Sequence, residues 1–453
     1  MHRIFDLLRI FVDRVLGGAV PIVLFLLGLL YLLYLRGFYI RHPITACRMM
    51  LKGHTATKKG RTSPFRAVTL ALGGTLGVGN LIGVSNAILL GGCGAVFWMV
   101  LSAVVAMVLK YAETVLALRH RTVHSDGSRR GGAMYYMKDC FSQIGLLRVG
   151  TVLAAAFAVL CIADSFTMGS MIQMHAVGSA FHGIFSWSPT VLGVVLSIVT
   201  FLVIVGGGKR ISALTERLVP FMAVVYLVLS CAVLIIRREA LPSVFSAVLK
   251  DACTPQSAAS GVGGFLITRA MRYGTLRGLM SNEAGCGTSP IAHAESDTDS
   301  PAVQGLWGIF EVFMDTVLLC TLTAAVVLVS YDGSVTDASD SMMVTVKAYS
   351  TVLGKWCEPI LAMLVLFFAF ATVICRAHYG QSALYCLTKG KAARAVYLIL
   401  FSASVFLGTV SAPDMVWGIA DFSLSVMTLL NLTVLWMMRK EVKEETNRFF
   451  GFR

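Results

Sequence analysis

Apolar residues along the chain come in unbroken runs of about twenty, parted by short polar stretches where Lys and Arg collect. Continuous runs of that length point to helices that cross a bilayer. Barrel strands would alternate apolar with polar residues instead. The runs predict eleven crossings, at about 19–36, 67–91, 94–118, 148–181, 189–207, 218–236, 258–280, 305–330, 357–387, 395–411 and 414–438. The fourth is long or tilted. Residues 1–18 set Ile4, Leu7, Leu8, Ile10, Phe11 and Val15 against Arg3, Arg9, Asp13 and Arg14. That segment is expected to lie along the interface. The first apolar run reads as a retained span, with no cleavable signal peptide.

The second run departs from the pattern. Val68 to Gly92 is apolar throughout, yet Gly73, Gly74, Gly77, Gly79 and Gly83 cluster in its middle with Thr75 and Asn80. Each interior glycine costs a helix about 0.5–1 kcal/mol relative to alanine. Two readings fit. A helix that unwinds at mid-membrane frees main-chain groups that must face protein or a polar cavity. Transporters use such half-helix ends to hold a small zwitterion and a cation. Alternatively, the glycines allow two helices to pack closely.

Composition narrows the class. Of 453 residues, 57% are hydrophobic and only 14% charged, with mean hydropathy +0.77. Soluble domains carry about 25% charged residues, so the chain belongs in a membrane. Its net charge of +14 sits in loops between spans, as the positive-inside rule describes, and is no sign of a nucleic-acid partner. Arg41, Arg48, Lys52, Lys58, Lys59, Arg61 and Arg66 follow the first run with no acidic residue among them. Residues 37–66 are therefore expected in the cytoplasm. The N-terminus is then outside and the tail 439–453 inside, in a multi-pass protein of a bacterial plasma membrane. The 11 cysteines are scattered through the apolar runs without Cys-x-x-Cys spacing, so neither a disulfide framework nor a zinc site is expected.

Leaving the first span aside, the others divide into two fives, 67–237 and 238–438. Each half opens on a glycine-interrupted span, GGTLGVGN in one and SGVGGF at 260–265 in the other. Matching interruptions in two halves mark inverted-repeat transporters with a midplane site. The expected fold is thus all-α, with about eleven crossings in a five-plus-five core and the second and seventh crossings discontinuous.

LALGGTLGVGNLIGVSNAILLGG, KYAETVLALRHR, GGAMYYM at 131–137, GGGKRISALTERLVPFMA at 206–223 and the block from Ser281 to Ala324 resemble the alanine or glycine:cation symporter family. FAFATV at 368–373 and DMVWGIAD at 414–421 continue the likeness. The resemblance implies the neurotransmitter:sodium symporter-like fold and uptake of a small neutral amino acid on a sodium gradient. Sodium would be co-transported and is no prosthetic group. The implied sodium ligands are the carbonyls of Gly73, Thr75 and Leu76 and the side chains of Asn80 and Thr372. Oxygen donors suit a hard cation. The substrate carboxylate would meet the amides of Gly77, Val78 and Gly79, where the half-helix dipole is positive. Thr75, Asn80, Asp164, Phe166, Gln173, Thr372 and Arg376 complete the implied substrate site. A monomer is expected to suffice, with lipid around it.

The chain departs from the family where the pocket is expected. Arg376 stands where the family usually has Trp, and Asp164-Ser165-Phe166-Thr167-Met168-Gly169-Ser170 replaces a family run beginning Ala-Ser-Phe. An arginine at mid-span costs about 2.5–3.5 kcal/mol on insertion scales and so needs a partner or a cavity. Arg376 either pairs with Asp164 or reads a polar or acidic group on the substrate. The second case shifts the substrate towards a larger or more polar amino acid. Lys110 and Glu113 are expected to pair. Glu311 and Asp315 share a helix face and either neutralise Arg269 or Arg272 or help hold the cation. Glu283 caps a helix or gates the inner mouth, and Asp164 with His175 leaves proton coupling open. A channel would need rings of like groups, a sensor a soluble domain, and a membrane enzyme a motif such as His-Glu-x-x-His. The sequence offers none of these.

Overall fold

The computed structural model describes residues 17–52, 62–123, 128–253, 269–331, 341–411 and 414–451. In chain order its helices are α1 (Gly17–Tyr34), α2 (Phe38–Arg41), α3 (Pro43–Lys52), α4 (Pro64–Thr75), α5 (Gly79–Gly91), α6 (Ala95–Arg119), α7 (Ala133–Gln143), α8 (Leu147–Phe185), α9 (Pro189–Val205) and α10 (Gly207–Ile236). There follow α11 (Leu241–Cys253), α12 (Arg269–Asn282), α13 (Pro290–His293), α14 (Pro301–Ser330), α15 (Ser341–Leu353), α16 (Cys357–Leu387), α17 (Lys391–Val410), α18 (Asp414–Met437) and α19 (Arg439–Phe450). Among the described residues seven helices are long and apolar enough to cross a membrane, or eight if the bent pair α4–α5 is one span. The apolar helices α1 and α9 are shorter.

The outward faces of these helices are apolar. Val191, Ile198 and Leu202 on α9, Val228 and Ile235 on α10 and Ile399 on α17 are all exposed. The polar groups turn inward instead, the reverse of a soluble helix and the arrangement lipid requires. Ser63 accepts the Arg66 N–H at 3.1 Å, and Pro64 takes the first helical position, so the cap and the fixed φ start α4.

Several expectations change. Lys209 and Arg210, which fall between the expected spans 189–207 and 218–236, lie within α10, which starts eleven residues earlier than the apolar pattern alone indicates. Residues 37–66 are partly helical, and the tail is the docked helix α19, with Val442 buried and Thr446 bonded to Tyr111 at 3.0 Å. Residues 1–16 and the SGVGGF run lie outside the described residues. Just beyond the expected limits of the seventh crossing the described chain turns sharply. α12 ends at Asn282, and the chain turns through Glu283 (φ 51°), Gly285 (φ 87°) and Gly287 (φ 79°) before α13. A left-handed glutamate is uncommon, and the turn it makes brings its carboxylate into the core.

Candidate functional site

The second crossing unwinds between Thr75 and Gly79 and bends by 54°. Gly77 donates to Thr75 O at 2.8 Å and to Asn80 Oδ1 at 3.1 Å, and Val78 donates to Gln173 Oε1 on α8 at 3.0 Å. Gly77 is required for this approach. A Cβ there would stand 2.7 Å from Thr372 Oγ1 and 2.8 Å from Gln173 Oε1. Gly73 and Gly74 serve the other reading of the cluster, close helix packing. A Cβ on Gly73 would meet Cys375 Sγ at 2.8 Å, and one on Gly74 the Tyr379 hydroxyl at 2.7 Å. The cluster therefore serves both break and contact.

Among the described residues, helices carry a π-helical turn at Gly79–Gly83, Thr167–Met171 and Phe313–Cys320. Such bulges redirect side chains and free main-chain groups. The first and third meet at Asn80. Its Nδ2 donates to Asp315 Oδ1 at 2.8 Å, to Asp315 O at 3.1 Å and to Ser281 Oγ at 3.1 Å. Ser281 and Thr316 hydroxyls each donate to Asp315 Oδ2 at 2.7 Å. Asp315 is fully buried, and no ion pair reaches it among the described residues. Apart from Asn80 and Asp315, this polar knot was not assembled by sequence reasoning. Asp315 is four residues from Glu311 and was expected on the same face, whereas the π-turn separates their surroundings. Neither carboxylate meets Arg269 or Arg272. Glu311 lies 3.4 Å from Lys110 and 2.8 Å from His293.

A narrow cleft lies beside this break. Val78, Gly79, Ile82, Gly83, Met168, Ile172, Gln173, Arg277, Met280 and Trp417 line it. Of the sequence-expected substrate residues, Val78, Gly79 and Gln173 therefore reach it, and Gly77, Asn80 and Thr372 sit immediately behind. Thr372 Oγ1 points at Leu76 O, 3.4 Å away, while Thr75 Oγ1 turns back to Ala71 O and Leu72 O at 3.4 Å. Gly73 is packed away against α16.

Asp164, Phe166 and Arg376 do not line the cleft. Phe166 packs on Tyr397 and Phe401 of α17. Arg376, only 2% exposed, is paired with Asp164 at 2.6 Å and with Glu283. The pairing reading of Arg376 is the one the side chains adopt, and Glu283 neither caps a helix nor stands free at a mouth. A different arginine faces the cleft. Arg277 of α12 stacks 5.4 Å from the Trp417 ring, its Nε buried without a hydrogen bond and its NH1 2.8 Å from Met280 Sδ. The sequence signal for it is an arginine within the expected seventh crossing, 258–280.

A broken span, inward polar groups and a cleft at the break describe a transporter site. Over residues 1–453 the chain matches the model of the sodium:alanine symporter family. The chain belongs to that family. The sodium/alanine symporter AgcS of Methanococcus maripaludis is 34% identical over 98% of this chain and 96% of its own length. The YflA transporter of Bacillus subtilis is 32% identical over 99% and 94%. The probable sodium/glutamine symporter GlnT of the same bacterium is 31% identical over 98% and 90%. Among solved structures, MhsT in complex with L-phenylalanine superposes with TM-score 0.56 at 15% identity, covering 84% of this chain and 90% of that one. The sodium:alanine symporter family member described here is thus a multi-pass membrane transporter and not an enzyme, on a fold shared with MhsT.

Proposed function

We propose that the protein imports a neutral amino acid by alternating access, driven by a sodium gradient. The observation that carries this is the unpaired carboxylate of Asp315 beside the broken helix α4–α5. Among the described residues the buried cations Lys110 and Arg376 are outnumbered by five buried carboxylates, Glu113, Asp164, Glu283, Glu311 and Asp315, each at most 1% exposed. A buried charge without a counter-charge is costly, so the core is arranged to draw a cation in. Asp315, Ser281, Thr316 and, with its amide turned over, Asn80 present oxygens that suit sodium. Thr372 and the carbonyls of Gly73, Thr75 and Leu76 remain the second candidate oxygen set.

In this reading the substrate carboxylate meets the amide of Gly79 at the start of α5, and Gln173 positions the break. The side chain projects among Ile82, Met168, Ile172, Met280 and Trp417. That lining favours an apolar or amide side chain. Arg376 is spent on Asp164 and Glu283, so an acidic substrate has no support from it; any preference for a larger, more polar amino acid falls to Arg277. The halves 67–237 and 238–438 act as the two inverted repeats, broken at 76–78 and 283–289. The N-terminus faces outside, and eleven crossings comprise the eight long spans, α1, α9 and the crossing that contains α12. The test is uptake of labelled alanine, serine, glutamine, leucine and glutamate into proteoliposomes under sodium, potassium or proton gradients imposed separately. Sodium-driven uptake of neutral members is expected, and uptake of none of them under sodium removes the reading.

A further inference from the structure

Arg277 is a charged side chain with no answering charge. It lies on α12 one turn before Ser281, and the end of α12 passes close to the start of α5, since a Cβ on Gly79 would stand 4.0 Å from Ser281 Cα. Arg277 and Gly79 thus line the cleft from opposite halves of the chain. NH1 donates to Met280 Sδ at 2.8 Å, and the guanidinium carbon lies 5.4 Å from the centre of the Trp417 ring. The edge formed by Nε and NH2 carries no hydrogen bond, and Nε is buried. Among the described residues no carboxylate pairs with Arg277. The acidic side chains that follow it are engaged elsewhere, Glu283 by Arg376 and Asp315 by Ser281, Thr316 and Asn80.

A guanidinium inside a membrane protein needs an anion or a set of good acceptors, because desolvating it alone is costly. A thioether is a weak acceptor, and an indole face adds only a cation–π contact. The free edge presents two parallel N–H donors, the fork that fits a carboxylate. The cleft makes the complementary demand. Val78, Ile82, Met168, Ile172 and Met280 offer no side-chain donor to a carboxylate. The Gly79 amide alone satisfies one of its about four lone-pair sites. An amino acid that sheds its water to enter is under-bonded there unless a second donor group meets it.

We infer that Arg277 binds the α-carboxylate of the transported amino acid, through its Nε–NH2 edge and opposite the Gly79 amide. The carboxylate then bridges α12 and α5 and ties the two halves of the chain together around the substrate. NH1, now turned to Met280, is what remains for a polar substrate side chain. The inference rests on the reading of the cleft as the amino-acid site.

The experiment is competition for uptake into proteoliposomes of the full chain under a sodium gradient. Labelled alanine, or labelled glutamine where that is taken up faster, is competed with the same unlabelled amino acid and with its α-amide, alaninamide or glutaminamide. The α-amide keeps the amino group and lacks the carboxylate. In the unaltered chain it is expected to compete about tenfold or more weakly than the amino acid. In Arg277→Gln, KM for the amino acid rises about tenfold or more while the maximal rate changes less. The half-inhibiting concentration of the α-amide stays the same, so the gap between the two competitors narrows. Arg277→Lys keeps the charge and loses the fork; it falls between and serves if the glutamine variant does not fold. Equal competition in the unaltered chain, or an undiminished preference for the carboxylate in these variants, makes Arg277 a strut against Trp417. Either result overturns the inference and leaves symport standing. No uptake under any gradient removes the symport reading, and this site with it.

Discussion

Asn80 Nδ2 lies 2.8 Å from Asp315 Oδ1, joining the break in the second crossing to the π-helical turn of α14 across 235 residues of sequence. That single contact ties the site to both halves of the chain. Asp315→Asn keeps the shape and removes the charge. It is expected to raise the sodium concentration for half-maximal uptake about tenfold or more, since hydrogen bonds and contacts to a charged group contribute about 1.5–3 kcal/mol. Initial uptake rates measured across a sodium series check this, and an unchanged half-saturation places the cation elsewhere.

Gly77→Ala places a methyl where Thr372 and Gln173 already stand, 2.7 and 2.8 Å away. The break must then shift from Gln173. Uptake is expected to fall at least tenfold, mainly through KM, with the protein still monodisperse in detergent. Gly18→Ala on α1, away from the cleft, where a Cβ also meets nothing within 4 Å, is the control and is expected to transport normally.

The place of the break in the second crossing was legible because five glycines within eleven residues are incompatible with an ordinary span. The matching SGVGGF run lies outside the described residues, and the turn through Glu283, Gly285 and Gly287 was not foreseen, because its glycine spacing resembles an ordinary loop. Burial of Arg376 was legible as a need for a partner, and Asp164 was named. Glu283 was not, because only a left-handed backbone at that residue swings its carboxylate towards α16. Residues that meet through π-helical turns, such as Asn80 with Asp315, escape any argument from a 3.6-residue period. Arg277 was visible but had no readable direction until Trp417 stood beside it.

Arg376→Met removes the cation from between two buried carboxylates. Breaking such a pair costs about 3–5 kcal/mol, so a marked loss of thermal stability in detergent is expected. Combining it with Asp164→Asn recovers part of that loss. The ranking of substrates that remain measurable in the double variant is expected to match the unaltered chain, because Arg376 does not reach the cleft. A reordered ranking contradicts that placement.

His120, just past the end of α6, lies 2.9 Å from Asp139 and 3.0 Å from Glu441. Burial alone lowers the affinity of the imidazole for a proton, but the two carboxylates outweigh it and raise the pKa above its ordinary 6.5. The hydrogen bond from His120 in turn holds Glu441 below its ordinary 4.5, against the opposing effect of burial. The raised imidazole stabilises docking of α19 fully below about pH 6.5, a contribution lost as pH rises through its folded value. The lowered carboxylate stabilises above about pH 4.5, a contribution lost as pH falls through its folded value. Docking is therefore strongest between these limits and weakens towards alkaline pH. Amide exchange in Glu441–Phe450, corrected for intrinsic rates, is expected to quicken from pH 6 to 9, and to lose that dependence in His120→Gln.

The most direct measurement of the account is equilibrium binding of labelled alanine and glutamine to the purified chain in sodium and in potassium at equal ionic strength. If the unwound α4–α5 junction holds amino acid and cation together, each strengthens the other. The better-bound ligand is then expected to bind at least tenfold tighter in sodium, a coupling of about 1.4 kcal/mol. Equal affinity in the two salts would contradict it.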